Sequence, residues 1–263
     1  MTMNPKISII TITYNSEKTL EETIQSVVSQ NYDNLEYLII DGGSTDRTLD
    51  IVKKYQDKID VVISEPDKGI SDAFNKGIRN ATGEIIGIIN SDDILLADSL
   101  NVLANNYSPD IDVYRGKTIV WNPIKNKKYI AIPSMNFSVN SIKNRSICHQ
   151  STFVSKSAYE KFGYFDLEYK FMMDADLLLR FYENKAKMMY IDKELAISRL
   201  GGVTNSPYWK KIKEVKNVVI KNGGYKIIAN IRVFKFVSYH FIKSIFFKIF
   251  GDRIRKWKYR NHC

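Results

Sequence analysis

Four polar clusters in the first hundred residues contain side chains that could do chemistry: Thr13-Tyr14-Asn15, Asp41 to Asp46, Glu65 to Gly69, and Asn90 to Asp93. Their hydroxyl and amide groups can hydrogen-bond a polar ligand, and their carboxylates can also hold a hard cation. Together they are suited to binding a polar small molecule, provided that the fold brings them together.

The elements between these clusters alternate in type. Short β-branched runs predict strands, and amphipathic stretches predict helices. The predicted strands are Ile7–Thr13, Leu35–Ile40, Val61–Ile63 and Ile85–Ile89, and the predicted helices are Glu17–Gln30, Asp46–Tyr55 and about Ile70–Asn80. This alternation favours a mostly parallel sheet with right-handed crossovers. Because ligands bind at the carboxyl ends of such strands, the four clusters are expected to meet at one edge.

The cluster from Asp41 to Asp46 has two interpretations. Its glycines allow a tight turn and Asp46 suits a helix cap, so it could be a strand-to-helix connection only. Asp41 at the strand end could also accept a hydrogen bond from a uracil imide or a ribose hydroxyl.

Three motifs in order carry a resemblance to a known family: Glu65-Pro-Asp-Lys-Gly-Ile-Ser-Asp-Ala-Phe-Asn-Lys-Gly77, Ala81-Thr-Gly-Glu84 and Ile88-Ile-Asn-Ser-Asp-Asp93. Over roughly residues 5–200 the chain resembles the inverting family 2 glycosyltransferases of surface-polysaccharide biosynthesis. The resemblance implies an α/β GT-A fold, with a Rossmann-like, mostly parallel sheet flanked by helices. It also implies a nucleotide-sugar donor, here a UDP-sugar, and a divalent metal.

Donor-binding roles follow from the resemblance, position by position. Thr13, Tyr14 and Asn15 correspond to the first donor loop, and Asp41 to the acid that recognises the base. The remaining donor-binding positions are Lys68, Asp72, Asn75 and Ser91.

The metal prediction rests on Asn90-Ser91-Asp92, which stands in the place of the family's Asp-x-Asp motif. In that motif carboxylates hold Mg²⁺ or Mn²⁺ against the diphosphate, whose charge the cation offsets. With Asn90 as the first residue, Asp92 is the predicted ligand. The alternative is that Asp92 or Asp93 caps the following turn. The histidine that many relatives carry after a late strand is absent from the segment Ser198–Val203.

His149-Gln150 and the segment Met173 to Arg180 resemble the acceptor half of the family. An inverting displacement needs a base for the acceptor hydroxyl, and Asp174 is the predicted one. Asp176 is its rival, although pairing with Arg180 four residues on would give it a structural role. We expect His149 and Gln150 to contact acceptor or phosphate, with ordinary packing as the alternative for the histidine.

The later chain is less clearly patterned. It predicts an exposed hairpin or loop at Asn122–Lys128, helices at Ser155–Phe162 and Asp174–Tyr182, and a short strand at Met188–Ile191, with Asp98 as a helix cap. The predicted catalytic domain covers residues 1–205, with a donor half (1–98) and an acceptor half (99–205). Residues 206–263 form a basic helical extension.

The charge of +10 comes from this extension, because residues 206–263 hold 15 Lys/Arg and two Asp/Glu (+13), leaving 24 minus 27, or −3, for residues 1–205. Residues 227–250 predict a partly amphipathic helix, and 253–260 interleave cations with aromatic rings. Lysines interrupt every apolar run before a spanning length is reached. An anionic membrane surface is the predicted partner. The alternatives are packing on the catalytic domain, pairing of the C-terminal helices in a homo-oligomer, or plain solvation.

The predicted function is therefore transfer of a sugar from a nucleotide-sugar to a glycan or lipid-linked acceptor. The two cysteines show no pairing pattern and no export signal opens the sequence, so the expected location is cytoplasmic, on the inner face of the cell membrane. A non-catalytic relative that binds a nucleotide-sugar or a membrane is one alternative. A nucleic-acid-binding protein acting through the basic tail is the other, although no nucleic-acid partner is expected.

Overall fold

The computed structural model describes residues 4–135, 147–200 and 208–222. Its first half alternates strands and helices, as predicted. The elements are β1 (Ile7–Thr13), α1 (Leu20–Val28), β2 (Leu35–Asp41), α2 (Thr48–Lys54), β3 (Val61–Ser64), α3 (Ile70–Asn80) and β4 (Ile85–Asn90). The four strands pair in parallel in the order β3-β2-β1-β4. Strands β1 and β4 consist largely of buried isoleucine, as expected where both faces of a sheet are covered.

The second half extends the same sheet with mixed pairing. It contains β5 (Ile94–Leu95), α4 (Ser99–Asn105), β6 (Val113–Asn122), β7 (Lys127–Ala131), β8 (Thr152–Ser155), α5 (Lys156–Phe162), α6 (Met173–Glu183) and β9 (Met188–Arg199). The strand order continues from β4 through β8, β6 and β9 to β5, while β7 pairs only with β6 among the described strands. Strand β8 is antiparallel to β4 and so joins the two halves. The predicted α/β class is confirmed.

Close packing of α3 on the sheet depends on a glycine. A Cβ at Gly77 would lie 2.5 Å from Cγ2 of Ile10 in β1, a separation that real Cβ atoms do not adopt. The helix backbone therefore approaches β1 more closely than any other residue type would allow.

Helix α1 begins at Leu20, three residues later than predicted, because the preceding backbone bonds a neighbouring loop instead. The amide of Ser16 donates to Thr48 Oγ1 (2.7 Å), and that of Glu17 donates to Asp46 Oδ2 (3.2 Å). Asp46 also accepts the amide of Thr48 (3.0 Å) at the start of α2. One aspartate thus ties two loops of the site together.

The outer strands differ most from prediction. Strand β9 runs for 12 residues rather than four, because it pairs in parallel with β6 from Val113 to Trp121. Strands β6 and β7 form a hairpin across Asn122–Lys128, the segment predicted to be an exposed hairpin or loop.

Asp98 precedes α4 as expected, but with φ 64° and without a side-chain bond to the helix backbone. Its carboxylate instead accepts the Asn101 side-chain amide (2.8 Å).

A buried carboxylate, Glu36, lies toward the amino end of β2, away from the four clusters. It accepts hydrogen bonds from Lys6 Nζ (3.0 Å), Ser8 Oγ (2.5 Å), the Thr82 amide (2.7 Å) and the Thr82 hydroxyl. Burial would raise the pKa of Glu36, but the hydrogen bonds from Ser8, Thr82 and Lys6 outweigh burial and lower it to about 2. This group, here called the Glu36 anchor, joins β1, β2 and the turn before β4.

The chain divides into two units, residues 1–207 and 208–263. In the second, α7 spans Tyr208–Lys221. The tail helix predicted at 227–250, the cationic segment 253–260 and the Gly201-Gly202 segment lie outside the described residues. Of the helices that the structure describes, none has both the length and the apolar character needed to cross a bilayer. Cys148 is a free thiol.

Candidate active site

Strand register brings the predicted donor residues to one edge. Thr13 at the end of β1 pairs with Asp41 of β2, and Ile12 pairs with Asn90 of β4. Because the three strands are parallel and in register, their following loops leave the sheet side by side. The expectation that the polar clusters converge is confirmed for these three strands.

The first two loops are joined by Asn15, which adopts a left-handed conformation (φ 49°). Its amide donates to Ser44 Oγ (2.8 Å), and its Oδ1 accepts the amide of Thr45 (2.9 Å). Tyr14 is left 62% exposed, which is unusual for a large ring. Thr13 Oγ1 is buried without a hydrogen-bond partner in the described part of the chain. This loop thus combines an exposed ring with a buried hydroxyl that has no hydrogen-bond partner among the described residues.

Asp41 is fully buried, and its carboxylate shapes the turn that follows β2. It accepts hydrogen bonds from the amides of Gly43 (3.1 Å) and Ser44 (3.0 Å), and from the hydroxyls of Ser44 (2.5 Å) and Ser64 (2.7 Å). A carboxylate offers about four acceptor sites. Three of the four bonds are accepted by Oδ2 and one by Oδ1, so most of this capacity is used within the protein. A contact between Asp41 and the donor base stays a prediction.

The loop after β3 is braced at both ends. The Lys68 amide donates to Asp72 Oδ2 (3.0 Å), while Lys76 Nζ pairs with Glu65 (2.8 Å) and donates to the Pro66 carbonyl (2.9 Å). Gly69 has φ 112°, a conformation that favours glycine. The conformation of this loop is therefore fixed by its own residues, and the Lys68 side chain is exposed just before α3 begins.

This third loop also touches the second. A Cβ built at Gly42 would meet Asp67 Oδ2 at 2.5 Å and Tyr14 Cδ2 at 3.5 Å. Glycine at position 42 thus allows the three loops to meet, which explains one glycine of the Asp41–Asp46 cluster in steric terms.

Asn75 lies on the buried face of α3 and is only 3% exposed. Its Nδ2 donates to the Phe165 carbonyl (2.8 Å), and its Oδ1 accepts the Phe165 amide (2.9 Å). The side chain therefore links α3 to the segment between α5 and α6. Its predicted donor contact remains a prediction, with a structural role now visible beside it.

The loop after β4 carries the predicted metal ligand. Ser91 Oγ lies 2.8 Å from Ser16 Oγ of the first loop. Asp92 is partly exposed, whereas Asp93 is 1% exposed and accepts from Asn90 Nδ2 (3.1 Å), Gln150 Nε2 (2.8 Å) and the Arg199 amide (2.9 Å). Asp93 thus connects β4, the turn before β8 and the end of β9, and it leaves Asp92 as the carboxylate available to a ligand.

His149 and Gln150 lie on a short 3-10 turn, His149–Ser151, that precedes β8. Gln150 is 7% exposed, and besides Asp93 it donates to Ser198 Oγ (3.1 Å). The ring of His149 packs against that of Phe74 in α3, with centroids 5.5 Å apart. Both residues therefore lie between the donor half and the acceptor half, where contact with acceptor or phosphate was predicted.

Asp174, in the first turn of α6, faces His149. Its Oδ2 lies 3.0 Å from His149 Nδ1, while its Oδ1 and His149 Nε2 are buried with no hydrogen-bond partner among the described residues. The pair lines a small cavity whose other walls are Ile88, Thr152, Val154, Tyr159, Phe165, Leu177 and Leu178. One carboxylate oxygen is thus oriented by the histidine, and the other has no hydrogen-bond partner among the described residues.

Negative charge is concentrated around this pair. Burial would lower the pKa of His149, but the nearby carboxylates of Asp174, Asp93 and Asp92 raise it above its usual value. Burial raises the pKa of Asp92, against the opposing charges of His149 and Arg199. Burial and the charge of Asp92 together raise the pKa of Asp93. The three carboxylates thus favour the charged form of His149.

Asp176 has the structural role proposed for it as the alternative. It is fully buried and pairs with Arg180 (3.3 Å), whose guanidinium also donates to the carbonyls of Phe162 (2.5 Å) and Tyr164 (2.7 Å). This pair fixes α6 against the end of α5. It thereby supports the orientation of Asp174 two residues earlier.

Sequence reasoning missed the cluster formed by Trp121, Arg199 and Lys128. The Arg199 guanidinium and the Lys128 ammonium lie 5.1 and 5.3 Å from the Trp121 ring centroid, and Arg199 also pairs with Glu22. Trp121 and Arg199 face each other in the β6–β9 register. No local pattern could have joined two residues so far apart in sequence.

The described residues of the loop after β4 could supply only part of the coordination shell of a divalent cation. Within the described ranges, no three His, Cys, Asp or Glu side chains are placed to hold a metal ion. Asn90 Oδ1, however, is buried and has no hydrogen-bond partner in the same residues, and the Asp92 carboxylate follows two positions later. Hard cations bind such oxygens, and Mg²⁺ commonly takes one or two protein ligands with phosphate oxygens completing the shell. The residues fit a cation that arrives with a diphosphate.

Comparison with solved structures supports the fold. S. aureus TarS (residues 1–349, in complex with UDP-GlcNAc) superposes with a TM-score of 0.64 at 20% identity, covering 93% of this chain and 75% of that chain. Mannosyltransferase PcManGT from Pyrobaculum calidifontis, in complex with GDP-Man and Mn²⁺, gives 0.64 at 16% identity, covering 89% and 70%. The fold is that of the GT-A glycosyltransferases, as the motifs implied.

Sequence comparison gives the family. An uncharacterized glycosyltransferase of Rickettsia typhi is 28% identical over 270 residues, covering 92% of this chain and 83% of the relative. The profile of glycosyl transferase family 2 matches residues 8–161, which include the four donor-side loops and the His149–Gln150 turn. The chain thus belongs to glycosyl transferase family 2 and is a glycosyltransferase.

Proposed function

We propose that this enzyme transfers a sugar from a UDP-sugar to a glycan or lipid-linked acceptor with inversion, and that Asp174 is the general base. The observation that carries the proposal is the Asp174–His149 pair, with Oδ2 held at 3.0 Å and Oδ1 left open among the described residues. The neighbouring Gln150 donates to Asp93 in the loop after β4. This link between the His149–Gln150 turn and the loop assigned to the diphosphate supports the proposed role of Asp174.

In the proposed reaction, Asp174 takes the proton of the acceptor hydroxyl as the oxygen attacks the donor's anomeric carbon. The new C–O bond forms on one face while the bond to the diphosphate breaks on the other, and the bonding electrons leave with the diphosphate. A single displacement of this kind inverts the anomeric configuration. His149 keeps the carboxylate in place, and Asp176 with Arg180 keeps the helix in place.

The proposed reaction also requires that the negative charge on the departing diphosphate be stabilised. Asp92 and Asn90 Oδ1 would hold Mg²⁺ or Mn²⁺, which supplies positive charge for the leaving group when bound. The solved relatives show related chemistry, since TarS was crystallised with UDP-GlcNAc or UDP and PcManGT with GDP-Man and Mn²⁺. The remaining donor-side residues (Thr13, Tyr14, Asn15, Asp41, Lys68, Asp72, Asn75 and Ser91) would bind the nucleotide and sugar, and Gln150 would lie at the acceptor side.

The decisive experiment replaces Asp174 with Asn. General-base catalysis contributes roughly 10²- to 10⁴-fold to rate, so we expect a loss of turnover of that order with donor affinity close to wild type. Initial rates with purified enzyme and calorimetric donor binding would measure the two quantities, and NMR of the product would give the anomeric configuration. Asp50→Asn, on the exposed face of α2, is the matched control.

Turnover unchanged in Asp174→Asn would remove this residue from the mechanism. A parallel loss of donor binding would instead assign Asp174 a structural role.

The proposed place of work is the inner face of the cell membrane, in surface-polysaccharide biosynthesis. Support comes from the charge of residues 206–263, which carry +13 while the rest of the chain carries −3. Anchoring by this tail, and pairing of two tails in a homo-oligomer, stay predictions. Removing residues 225–263 and measuring sedimentation with anionic vesicles would test the first.

A further inference from the structure

The outer half of the β6–β7 hairpin, residues 122–132, is here called the hairpin tip. Its residues from Pro123 to Ile130 are all exposed, so both faces of β7 meet solvent over most of its length. Four large apolar side chains are among the exposed ones: Ile124 (88%), Tyr129 (47%), Ile130 (54%) and Ile132 (60%). A cluster of this kind on a protein surface marks an interaction site more often than isolated apolar residues do.

All charged side chains of the hairpin tip are cationic. Lys125, Lys127 and Lys128 lie among the apolar residues, and the sequence contains no acidic residue between Asp112 and Glu160. All three lysines are exposed, and one of them, Lys128, also approaches the ring of Trp121 (5.3 Å). The tip therefore combines cationic ends with apolar surface.

Protection of a sheet edge would explain the lysines of the hairpin tip but not its apolar residues. Lysine on an edge strand discourages pairing with another chain, and β7 pairs only with β6 among the described strands. Exposed isoleucine and tyrosine on the same strand have the opposite effect, because they favour association. These exposed apolar side chains therefore indicate a binding partner that shields them from water.

We propose that the hairpin tip docks on the surface of an anionic membrane. Its isoleucine and tyrosine side chains would enter the headgroup region, while the lysine ammonium groups reach lipid phosphates. Three lysines near an anionic leaflet contribute on the order of 100-fold in affinity. An apolar protein groove would accept the isoleucines, but three lysines with no acid favour a surface of uniformly negative charge.

The tip is connected to the site through Trp121. The Trp121 ring contacts Lys128 of the tip and Arg199 of β9, and the Arg199 amide bonds Asp93 (2.9 Å) beside the predicted metal ligand. Docking of the tip would thus place the active-site edge next to the bilayer, where the lipid-linked acceptor of the proposed function would lie. The inference does not depend on the role of Asp174, nor on the tail.

A local probe separates the tip from the tail. In the full-length chain with Cys263→Ser, an environment-sensitive fluorophore on Ile124→Cys should shift to the blue with phosphatidylcholine vesicles containing phosphatidylglycerol, and not with phosphatidylcholine alone. The Cys263→Ser parent measures any labelling at Cys148, the free thiol.

A charge-matched pair of variants tests the lysines. Lys125→Gln/Lys127→Gln/Lys128→Gln should lose on the order of 100-fold in affinity for the anionic vesicles in sedimentation. Lys53→Gln/Lys54→Gln/Lys58→Gln, which removes three exposed lysines at and just after α2, should lose much less. Equal affinities for the two variants, or a label at 124 that stays in water, would overturn the proposal. A label shielded by soluble polyglutamate but not by anionic vesicles would assign the tip to a protein partner and also overturn it.

Discussion

Two carboxylates, buried Glu36 and half-buried Asp174, illustrate how differently this chain uses the same chemical group. Glu36 accepts hydrogen bonds from three residues, and every contact holds structure together. Asp174 has one oxygen bonded to His149 and the other open in the described residues. A satisfied carboxylate is a structural element, whereas a half-satisfied one beside a cavity is available for proton transfer.

The Glu36 anchor should make stability depend on pH. Because the folded pKa is about 2 and the unfolded value is about 4.3, ionised Glu36 stabilises the fold fully above pH 4.3. That contribution is lost as the pH falls toward 2. Glu36→Gln should lower the free energy of unfolding by about 1–3 kcal/mol at pH 7, and the difference from wild type should narrow below pH 4.3. Urea unfolding at pH 7, 5 and 3.5 measures this.

Glu65→Gln is the matched control, since its carboxylate is 55% exposed and pairs with Lys76 at the surface. We expect a change of less than about 1 kcal/mol for it. A difference between Glu36→Gln and wild type that stays constant from pH 7 to 3.5 would show that Glu36 does not titrate with the depressed pKa.

At the scale of elements, α3 is both the wall of the donor edge and the link to the acceptor half. Its Asn75 side chain makes two hydrogen bonds to the Phe165 backbone, and Phe74 packs on His149. Positioning of Asp174 thus depends on α3, although Asp174 lies in α6.

Asn75→Ala should therefore cost stability. Removing the amide leaves the Phe165 N–H and C=O unpaired and buried, at about 1–3 kcal/mol for each group. We expect a loss of about 2–4 kcal/mol in chemical denaturation, and calorimetric donor binding to the folded fraction measures the proposed donor contact separately. Asn80→Ala on the same helix is the control, because Asn80 is exposed and its side chain donates to the Lys76 carbonyl four residues earlier. Unchanged stability in Asn75→Ala would contradict the structural role of its bonds to Phe165.

Elements with local signals could be predicted from the sequence, and those that depend on distant pairing could not. The β-branched runs of β1, β2 and β4 and the turn residues after them identified one edge of the sheet. Strand β8, with four residues, has too little local pattern, and β9 extends to Arg199 only because β6 lies beside it. The same limit applies to the site. Acids at strand ends were found as candidates, but whether they are partly exposed (Asp92) or buried in hydrogen bonds (Asp41, Asp93) depends on residues elsewhere in the chain.

At the scale of the whole molecule, donor and metal should stabilise the fold together. A ligand at 100 times its Kd adds about 2.7 kcal/mol, or a Tm increase of roughly 5–10 °C for a chain of this size. We expect UDP with Mn²⁺ to raise the Tm by this amount and UDP alone to raise it less. In Asp92→Asn, the Tm with UDP should be the same with and without Mn²⁺. Thermal unfolding monitored by fluorescence measures all three, with Asp50→Asn as control.

A larger increase with GDP than with UDP would contradict the proposed nucleotide. Equal increases with and without Mn²⁺ in the wild-type chain would contradict a metal held by Asp92.

The Glu36 anchor and the donor edge occupy opposite ends of the same two strands. Ser8 pairs with Glu36 near one end, and Thr13 pairs with Asp41 at the other, five residues along. At roughly 3.3 Å per residue the separation is about 17 Å, beyond the distance at which substitutions usually influence each other's stability. We therefore expect substitutions in the donor-edge loops to leave the contribution of the Glu36 anchor to stability unchanged. Such a division would allow donor specificity to vary, in evolution or in the laboratory, while this part of the fold is kept.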